Sequence, residues 1–218
     1  MIPLFHDFSD ATVLIFGGGP VGARKSRRFA READVLVVSP TFADESFGNA
    51  QQIRAAPGPP EVDAWLERHQ PALVVAATDD EAVNDALVER ALSRGVLVNR
   101  ADRAGSREPG SVVVPATVED PPVTVAIATG GTAPALSKHL RQELEETLAG
   151  TGEMATLLEE LRTELKAREV QPSRRREIVT AVVSSSAIWT ALRTGTANIQ
   201  QVIEDVLESE QLTGGESP

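Results

Sequence analysis

Cysteine is absent from this chain of 218 residues, which removes disulfides, thiolate metal sites and cysteine nucleophiles together. Tyrosine is absent too, and aromatic residues make up only 4%, too few for a base-stacking surface that would hold nucleic acid. The three histidines, His6, His69 and His139, stand at no metal-ligand spacing, so no resident metal is expected. No stretch approaches the roughly 18 apolar residues of a membrane span. Residues 1–8 carry no basic region ahead of a long apolar one, so a cytoplasmic protein is expected.

Positive charge is also scarce. With 32 acidic against 21 basic residues the formal charge is −11, which argues against a partner recognised through its phosphates, nucleic acid above all. Lysine is nearly confined to the basic minority's margin, at Lys25, Lys138 and Lys166, and the other basic residues are arginines. An acidic, lysine-poor surface suits a salt-rich cytoplasm and general solubility equally. The length suffices for one α/β domain with a smaller appendage, and for a core that needs no crosslinks.

The most informative feature present is a glycine turn. The apolar run 12–16 leads into Gly17-Gly18-Gly19-Pro20-Val21-Gly22 and then into a helix-competent stretch, the context of a dinucleotide-binding G-x-G-x-x-G. Gly17 is expected to allow the tight strand-to-helix turn, Gly19 to let the backbone approach a pyrophosphate, and Gly22 to permit close helix–strand contact. The phosphates would sit on the unpaired amides of the helix N-terminus. Such a site usually ends its second strand with an acidic residue that holds the ribose 2′-hydroxyl. Here the run 35–38 ends in Ser39-Pro40-Thr41 instead. No arginine stands immediately beside Ser39, which favours NAD over NADP.

Strand-like runs at 12–16, 35–39, 73–77 and 96–99 alternate with helical patterns, as in a parallel sheet with crossover helices. Val83, Ala86, Leu87 and Ala91 fall at helical spacing, with Asp79 or Asp80 as N-cap and Gly95 beyond the end. The proline-rich stretch 55–60 is read as a loop. After Asp102 the pattern changes. Two β-rich runs, 111–114 and 123–127, are separated by residues 115–122 with no room for a crossover helix, and are expected to pair as a small separate unit. Leu136, Leu140, Leu144 and Leu148 mark a following helix, and the chain reads as helical from Glu153 on. One stripe runs through Met154, Leu157, Leu158, Leu161 and Leu165, another through Ile199, Val202, Ile203, Val206 and Leu207. A single helix capped by Ser173 is expected over 174–192, and a disordered tail over 213–218.

Five motifs in order now point to one family. Met1-Ile2-Pro3-Leu4-Phe5 precedes the first strand, and the glycine turn continues into Ala23-Arg24-Lys25. Ala76-Ala77-Thr78-Asp79-Asp80 closes a later strand, Asn99-Arg100-Ala101-Asp102 closes another, and Ala128-Thr129-Gly130-Gly131-Thr132-Ala133-Pro134 starts a helix. Together they resemble the precorrin-2 dehydrogenase family, the amino-terminal module of siroheme synthase, closely over about residues 1–150.

The resemblance implies NAD-dependent oxidation of precorrin-2 to sirohydrochlorin, in some members followed by insertion of ferrous iron to give siroheme. It implies a Rossmann domain over 1–110, a β/helix dimerisation segment over 111–150 that pairs two subunits into a homodimer, and a helical domain over 151–212. The chain ends about where the methyltransferase module of fused siroheme synthases would begin, so that module is not expected. Asp102, just past a strand's C-terminal end where open α/β sheets place their ligand crevice, matches the family's shared catalytic aspartate; the alternative is a turn residue or cap.

By the same correspondence Thr78 and Asn99 contact cofactor or substrate, Pro20 and Val21 lie under the pyrophosphate, and Thr41 and Phe42 lie beside the adenosine. Thr129, Gly130, Gly131 and Thr132 fall at the substrate site, where Thr132 is alternatively a helix cap. Arg24, Lys25, Arg27, Arg28 and Arg31 cluster on the first helix, either to attract a polycarboxylate substrate or as a solvated face. Two other functions remain in view: a non-catalytic NAD-sensing protein, which would need neither Asp102 nor the 130–132 segment, and a chelatase with a vestigial glycine turn.

Overall fold

The computed structural model describes residues 2–101, 109–196 and 198–213. The chain divides into two compact units, one running to Val114 and including Gly130–Thr132, the other comprising Pro115–Thr129 and the chain from Ala133 on.

The first unit is an α/β unit around a five-stranded, all-parallel sheet. Strands β1 (Thr12–Phe16), β2 (Asp34–Ser39), β3 (Gln51–Arg54), β4 (Leu73–Ala76) and β5 (Leu97–Arg100) lie in the order β3-β2-β1-β4-β5. Chain direction reverses its progress across the sheet between β1 and β4, which opens a crevice at their C-terminal ends. Alternation along the strands fills two separate cores. Leu14, Phe16, Val38, Val74, Ala76 and Val98 point to one face, where helices α2 (Val62–His69) and α3 (Glu81–Ser93) bury Leu66, Val83 and Leu87 against them. Val13, Ile15, Val35, Val37 and Val75 point to the other, against Ala23 of helix α1 (Pro20–Phe29) and Phe47. Burial on both faces explains why these strands read as unbroken apolar runs rather than as alternating ones.

Three local expectations need correction in this unit or just beyond it. β3 is a strand that sequence did not single out: its four residues carry one apolar side chain, Ile53, because it is the sheet's edge. Residues 111–114 are not a strand; Val112 instead ties back to β5, its amide donating to Val98 O at 2.8 Å. The strand that pairs with β7 (Val123–Ile127) is β6 (Ala116–Asp120), inside the stretch expected to be a linker, with Val118 buried.

β6 and β7 open the second unit as an antiparallel hairpin, followed by α4 (Pro134–Leu148) and the helices α5 (Thr151–Ala167), α6 (Pro172–Ser184), α7 (Ser186–Arg193) and α8 (Ile199–Thr213). Met154, Leu157, Leu161 and Leu165 of α5 form the spine of its core, against Ile178, Val182, Leu192 and Ile203. The carboxylate of Asp120 accepts from the Gly152 amide (3.1 Å) and the Thr151 hydroxyl (3.2 Å), capping α5 from the end of β6. The helix expected over 174–192 is two helices. Ser185 breaks it and starts α7, accepting from Ile188 N at 3.4 Å, while α6 begins at Gln171 with Pro172 in its first turn, not at Ser173. Thr213 closes α8, so the expected tail is helical at its first residue; residues 214–218 lie outside the described ones. Among the described residues no helix is long and apolar enough to cross a membrane.

Candidate cofactor-binding site

The turn between β1 and α1 is held by contacts only glycine permits. Gly17 adopts φ +120°, and a Cβ there would stand 2.2 Å from Ala77 O. At Gly22 a Cβ would stand 1.9 Å from Gly17 O, and at Gly18 it would meet Thr41 O at 2.2 Å and Ser39 Oγ at 2.8 Å. Hydrogen bonds lock the same geometry, from Gly17 N to Val38 O (3.0 Å) and from Ala43 N to Gly18 O (2.8 Å). Gly19 is different. It is the N-cap of α1, in extended conformation, and a Cβ on it would have no neighbour within 4 Å.

Open space therefore lies in front of the helix N-terminus, where the first-turn amides of Val21 and Gly22 lack intrahelical acceptors. Pro20 occupies N1, where its missing N–H costs nothing, and no acidic side chain sits in the first turn. This is a cradle for a diphosphate. The residues fit a dinucleotide, whose pyrophosphate would take the Gly19 side of the turn.

Beside the cradle, Ser39 is buried at the end of β2 and Phe42 packs edge-on against Phe47, with ring centroids 5.5 Å apart. Thr41 is exposed and contributes its carbonyl to the contact with Gly18. The premise that no arginine stands beside Ser39 holds along the chain but not in space. β2 and β3 pair in parallel with Arg54 directly opposite Ser39, and the Arg54 guanidinium lies 5.9 Å from the centre of the Phe42 ring. Nothing in the sequence near Ser39 could show this, because fifteen positions and a weakly patterned edge strand separate the two residues.

Thr78 follows β4, and its hydroxyl is committed internally. It donates to Asn84 Oδ1 at 2.8 Å and accepts from Asp80 N at 3.2 Å, while Asn84 Nδ2 donates to Thr78 O at 2.9 Å. Asn84, fully buried on α3 and unremarked in the sequence, is thus what shapes the rim after β4. Asp80, not Asp79, caps α3, accepting from Ala82 N (2.9 Å) and Val83 N (3.2 Å).

Asn99 sits near the end of β5, 6% exposed. Its Nδ2 donates to Val112 O at 2.9 Å, and its Oδ1 is buried with no partner. A buried acceptor left open is uncommon in a folded protein and suits a ligand's donor. Asp102 lies outside the described residues.

In the second unit Thr129 Oγ1 lies 2.8 Å from Ser137 Oγ and 3.2 Å from Ala133 O. Gly130 and Gly131, which cluster with the first unit, take φ +68° and +82° on the way to α4. The N-cap of α4 is Ala133, so Thr132 does not cap it. Gly17, Gly19, Pro20, Val21, Gly22, Ser39, Thr41, Phe42, Thr78 and Asn99 all gather at the C-terminal edge of the parallel sheet; Thr129 belongs to the other unit.

The basic cluster expected on the first helix runs past it, since α1 ends at Phe29 and Arg31 lies beyond. Arg27 pairs with Glu45 at 3.2 Å and donates to Ser46 O at 2.6 Å. Burial pushes the Lys25 ammonium down to about 8, with the neighbouring charges of Arg24 and Arg28 adding to the effect.

Comparison with known proteins identifies the lineage. Residues 4–116 match a family model described as "Putative NAD(P)-binding". A precorrin-2 dehydrogenase of Methanosarcina barkeri is 30% identical over 199 residues, covering 86% of this chain and 85% of that protein. The chain belongs to the precorrin-2 dehydrogenase family. A siroheme synthase of Stutzerimonas stutzeri is 32% identical over 94% of this chain, which spans only 44% of that protein's length. Among solved structures, SirC, a precorrin-2 dehydrogenase, superposes with a TM-score of 0.69 and 25% identity, covering 94% of this chain and all of that one. The Rossmann-type sheet, small β unit and helical remainder are those of this family's fold.

Proposed function

We propose that this protein oxidises precorrin-2 to sirohydrochlorin in siroheme biosynthesis, with NAD as the oxidant. The observation that carries the reading is the chain-long likeness to precorrin-2 dehydrogenases, joined to a glycine turn whose one sterically open position faces a helix N-terminus. Bound NAD supplies the hydride acceptor. The chain supplies the rest. The amides at Gly19, Val21 and Gly22, with Gly17 setting the turn and Pro20 the helix start, hold the diphosphate; Ser39, Thr41 and Phe42 border the adenosine.

Asn99 Oδ1, the open acceptor at the rim, takes a hydrogen bond from cofactor or substrate, and Thr78 supports that rim through Asn84. Thr129, Gly130, Gly131 and Thr132 face the tetrapyrrole. Asp102 takes the proton that must leave carbon as the hydride leaves, since a carboxylate ionised at neutral pH is a competent base. Ferrous iron insertion is a second reaction of the same site, in which two ring N–H protons must leave and the carboxylate takes them one after the other, passing each to water; iron is then a substrate that passes through.

The working unit is a cytoplasmic homodimer, organised as the Rossmann domain 1–110, the dimerisation segment 111–150 and the helical domain 151–212. Support for pairing comes from α4, which leaves Leu136 and Leu140 48% and 37% exposed. Precorrin-2 supplied with NAD and no metal should be oxidised with formation of reduced cofactor, followed by the absorption change. Asp102→Ala should abolish that change while NAD affinity stays close to wild type; turnover near the wild-type rate in this variant removes Asp102 from the mechanism.

A further inference from the structure

From the pairing of β2 with β3 we infer that the adenosine end of this site accepts a 2′-phosphate, so that the protein binds NADP at least as well as NAD, with Arg54 as the residue that decides. The inference rests on the dinucleotide reading above and concerns a part of the site that reading leaves unspecified. A strand-end carboxylate discriminates against NADP in two ways, by holding the free 2′-hydroxyl of NAD and by repelling the phosphate of NADP. Here the strand-end residue is Ser39, uncharged and buried against Gly18. Its hydroxyl can hydrogen-bond a ribose, but it carries no charge to repel a phosphate.

The other half of the argument is a cation in the right place. Parallel register sets Arg54 opposite Ser39, and register partners in a sheet project to the same face. That face also carries Phe42, over whose ring the Arg54 guanidinium lies at 5.9 Å. Among the described residues no carboxylate pairs with Arg54. The nearest acids along the chain are engaged elsewhere: Glu61 accepts from Gly58 N, Asp63 pairs with Arg90 and Arg94, and Glu45 pairs with Arg27 at 3.2 Å. The guanidinium is a planar fork of N–H donors that takes phosphate oxygens in pairs, and Phe42 beside it offers a contact that steadies it near the end of β2.

The overall charge of −11 opposes an additional anion, but screening confines distant charges to about 8 Å at physiological ionic strength, so one adjacent guanidinium outweighs them. Arg54 is thereby a specificity residue. It meets only the group that distinguishes the two cofactors.

Titration calorimetry with oxidised NAD and NADP, without tetrapyrrole, measures both affinities independently of turnover. The expected result is an NADP affinity equal to or above that for NAD. In Arg54→Gln, at an exposed position where the fold is not at stake, the ratio of NADP to NAD affinity should fall about tenfold, the loss of one charge-assisted contact. Competition by 2′-phosphorylated AMP against AMP should show the same Arg54-dependent preference. The inference is overturned if NADP binds more than about threefold more weakly than NAD, or if Arg54→Gln leaves the ratio within about threefold. In both of those cases NAD binding stands and with it the dinucleotide reading; if neither cofactor binds, the dinucleotide reading falls as well.

Discussion

The glycine turn of the first unit and the β6–β7 hairpin with α4 in the second are both short segments, yet they are completed differently. Around Gly17, Gly18 and Gly22 every neighbour is already in place, at distances that leave no room for a methyl group. On α4 no residue is buried, and Leu136 and Leu140 are only about half covered, at 48% and 37% exposed. One region has its shape determined within the chain. The other has an apolar face that water covers at a cost of roughly 1.5 to 3 kcal/mol for each large side chain left exposed. Two-stranded hairpins are marginal alone, and this one has only helices of its own chain to lean on.

The largest effect should come from filling the closed region. Gly22→Ala forces a Cβ to within 1.9 Å of Gly17 O, a backbone atom that cannot step aside without opening the turn. A loss of about 3 kcal/mol or more is expected, read as the urea midpoint of unfolding. Gly19→Asp sharpens the contrast inside the same turn. Its Cβ meets open space, so stability should stay within about 0.5 kcal/mol of wild type, whereas cofactor titration should show no binding, because the new carboxylate stands where the diphosphate belongs. A Gly19→Asp variant that binds NAD normally would place the diphosphate elsewhere.

The open region is broken by charge. Leu136→Glu with Leu140→Glu should leave the helical core of Met154, Leu157 and Leu161 untouched and raise the dimer dissociation constant by about 100-fold. Sedimentation velocity across a concentration series reads it, with oxidation of precorrin-2 assayed in parallel. A wild-type chain that is fully active as a micromolar monomer contradicts both the pairing and the dependence of the site on it.

A smaller loss is expected at the hairpin's link to the helices. Asp120→Ala removes the acceptor for Gly152 N and Thr151 Oγ1, and should cost about 1 kcal/mol, the usual worth of a helix cap. Thermal unfolding of this variant and of Ser185→Ala, which uncaps α7, should show comparable decrements.

The same comparison explains what could be read from the sequence. Buried strands and a glycine turn are written in local signals: the runs of β1, β2 and β4, the Asp80 cap and the spacing of Gly17, Gly19 and Gly22 each depend on neighbours a few positions away. β3 carries no such signal because an edge strand buries little, and neither does Arg54, whose place beside Ser39 exists only through strand pairing. Val112 and Val114 carry as much β character as Val118, and only the register with β7 decides which run becomes β6. Asn84 gave no signal at all; an asparagine on a helix becomes a buried anchor for Thr78 only through the turn after β4. Asp102 was named through its likeness to a family, a source of inference that neither spacing nor periodicity supplies.

The smallest effect concerns Lys25, on the helix that follows the closed turn. Its ammonium is held down to about 8 from an ordinary 10.5, first by burial and then by Arg24 and Arg28. A cation whose folded value lies below its unfolded one binds its proton more weakly when folded. Stability therefore rises as pH climbs from about 8 to about 10.5 and carries the full penalty below that window. The chain is well suited to show it, because with no cysteine, no tyrosine and two other lysines few groups compete in this range. Lys25→Met should raise stability at pH 7 by on the order of 1 kcal/mol, reduced from the full desolvation cost because a long side chain lets the charge reach for water. The advantage should shrink as pH approaches 10.5, so that urea midpoints of the two proteins converge. Parallel pH profiles for wild type and variant would mean that the Lys25 ammonium is solvated despite its half-buried place on α1.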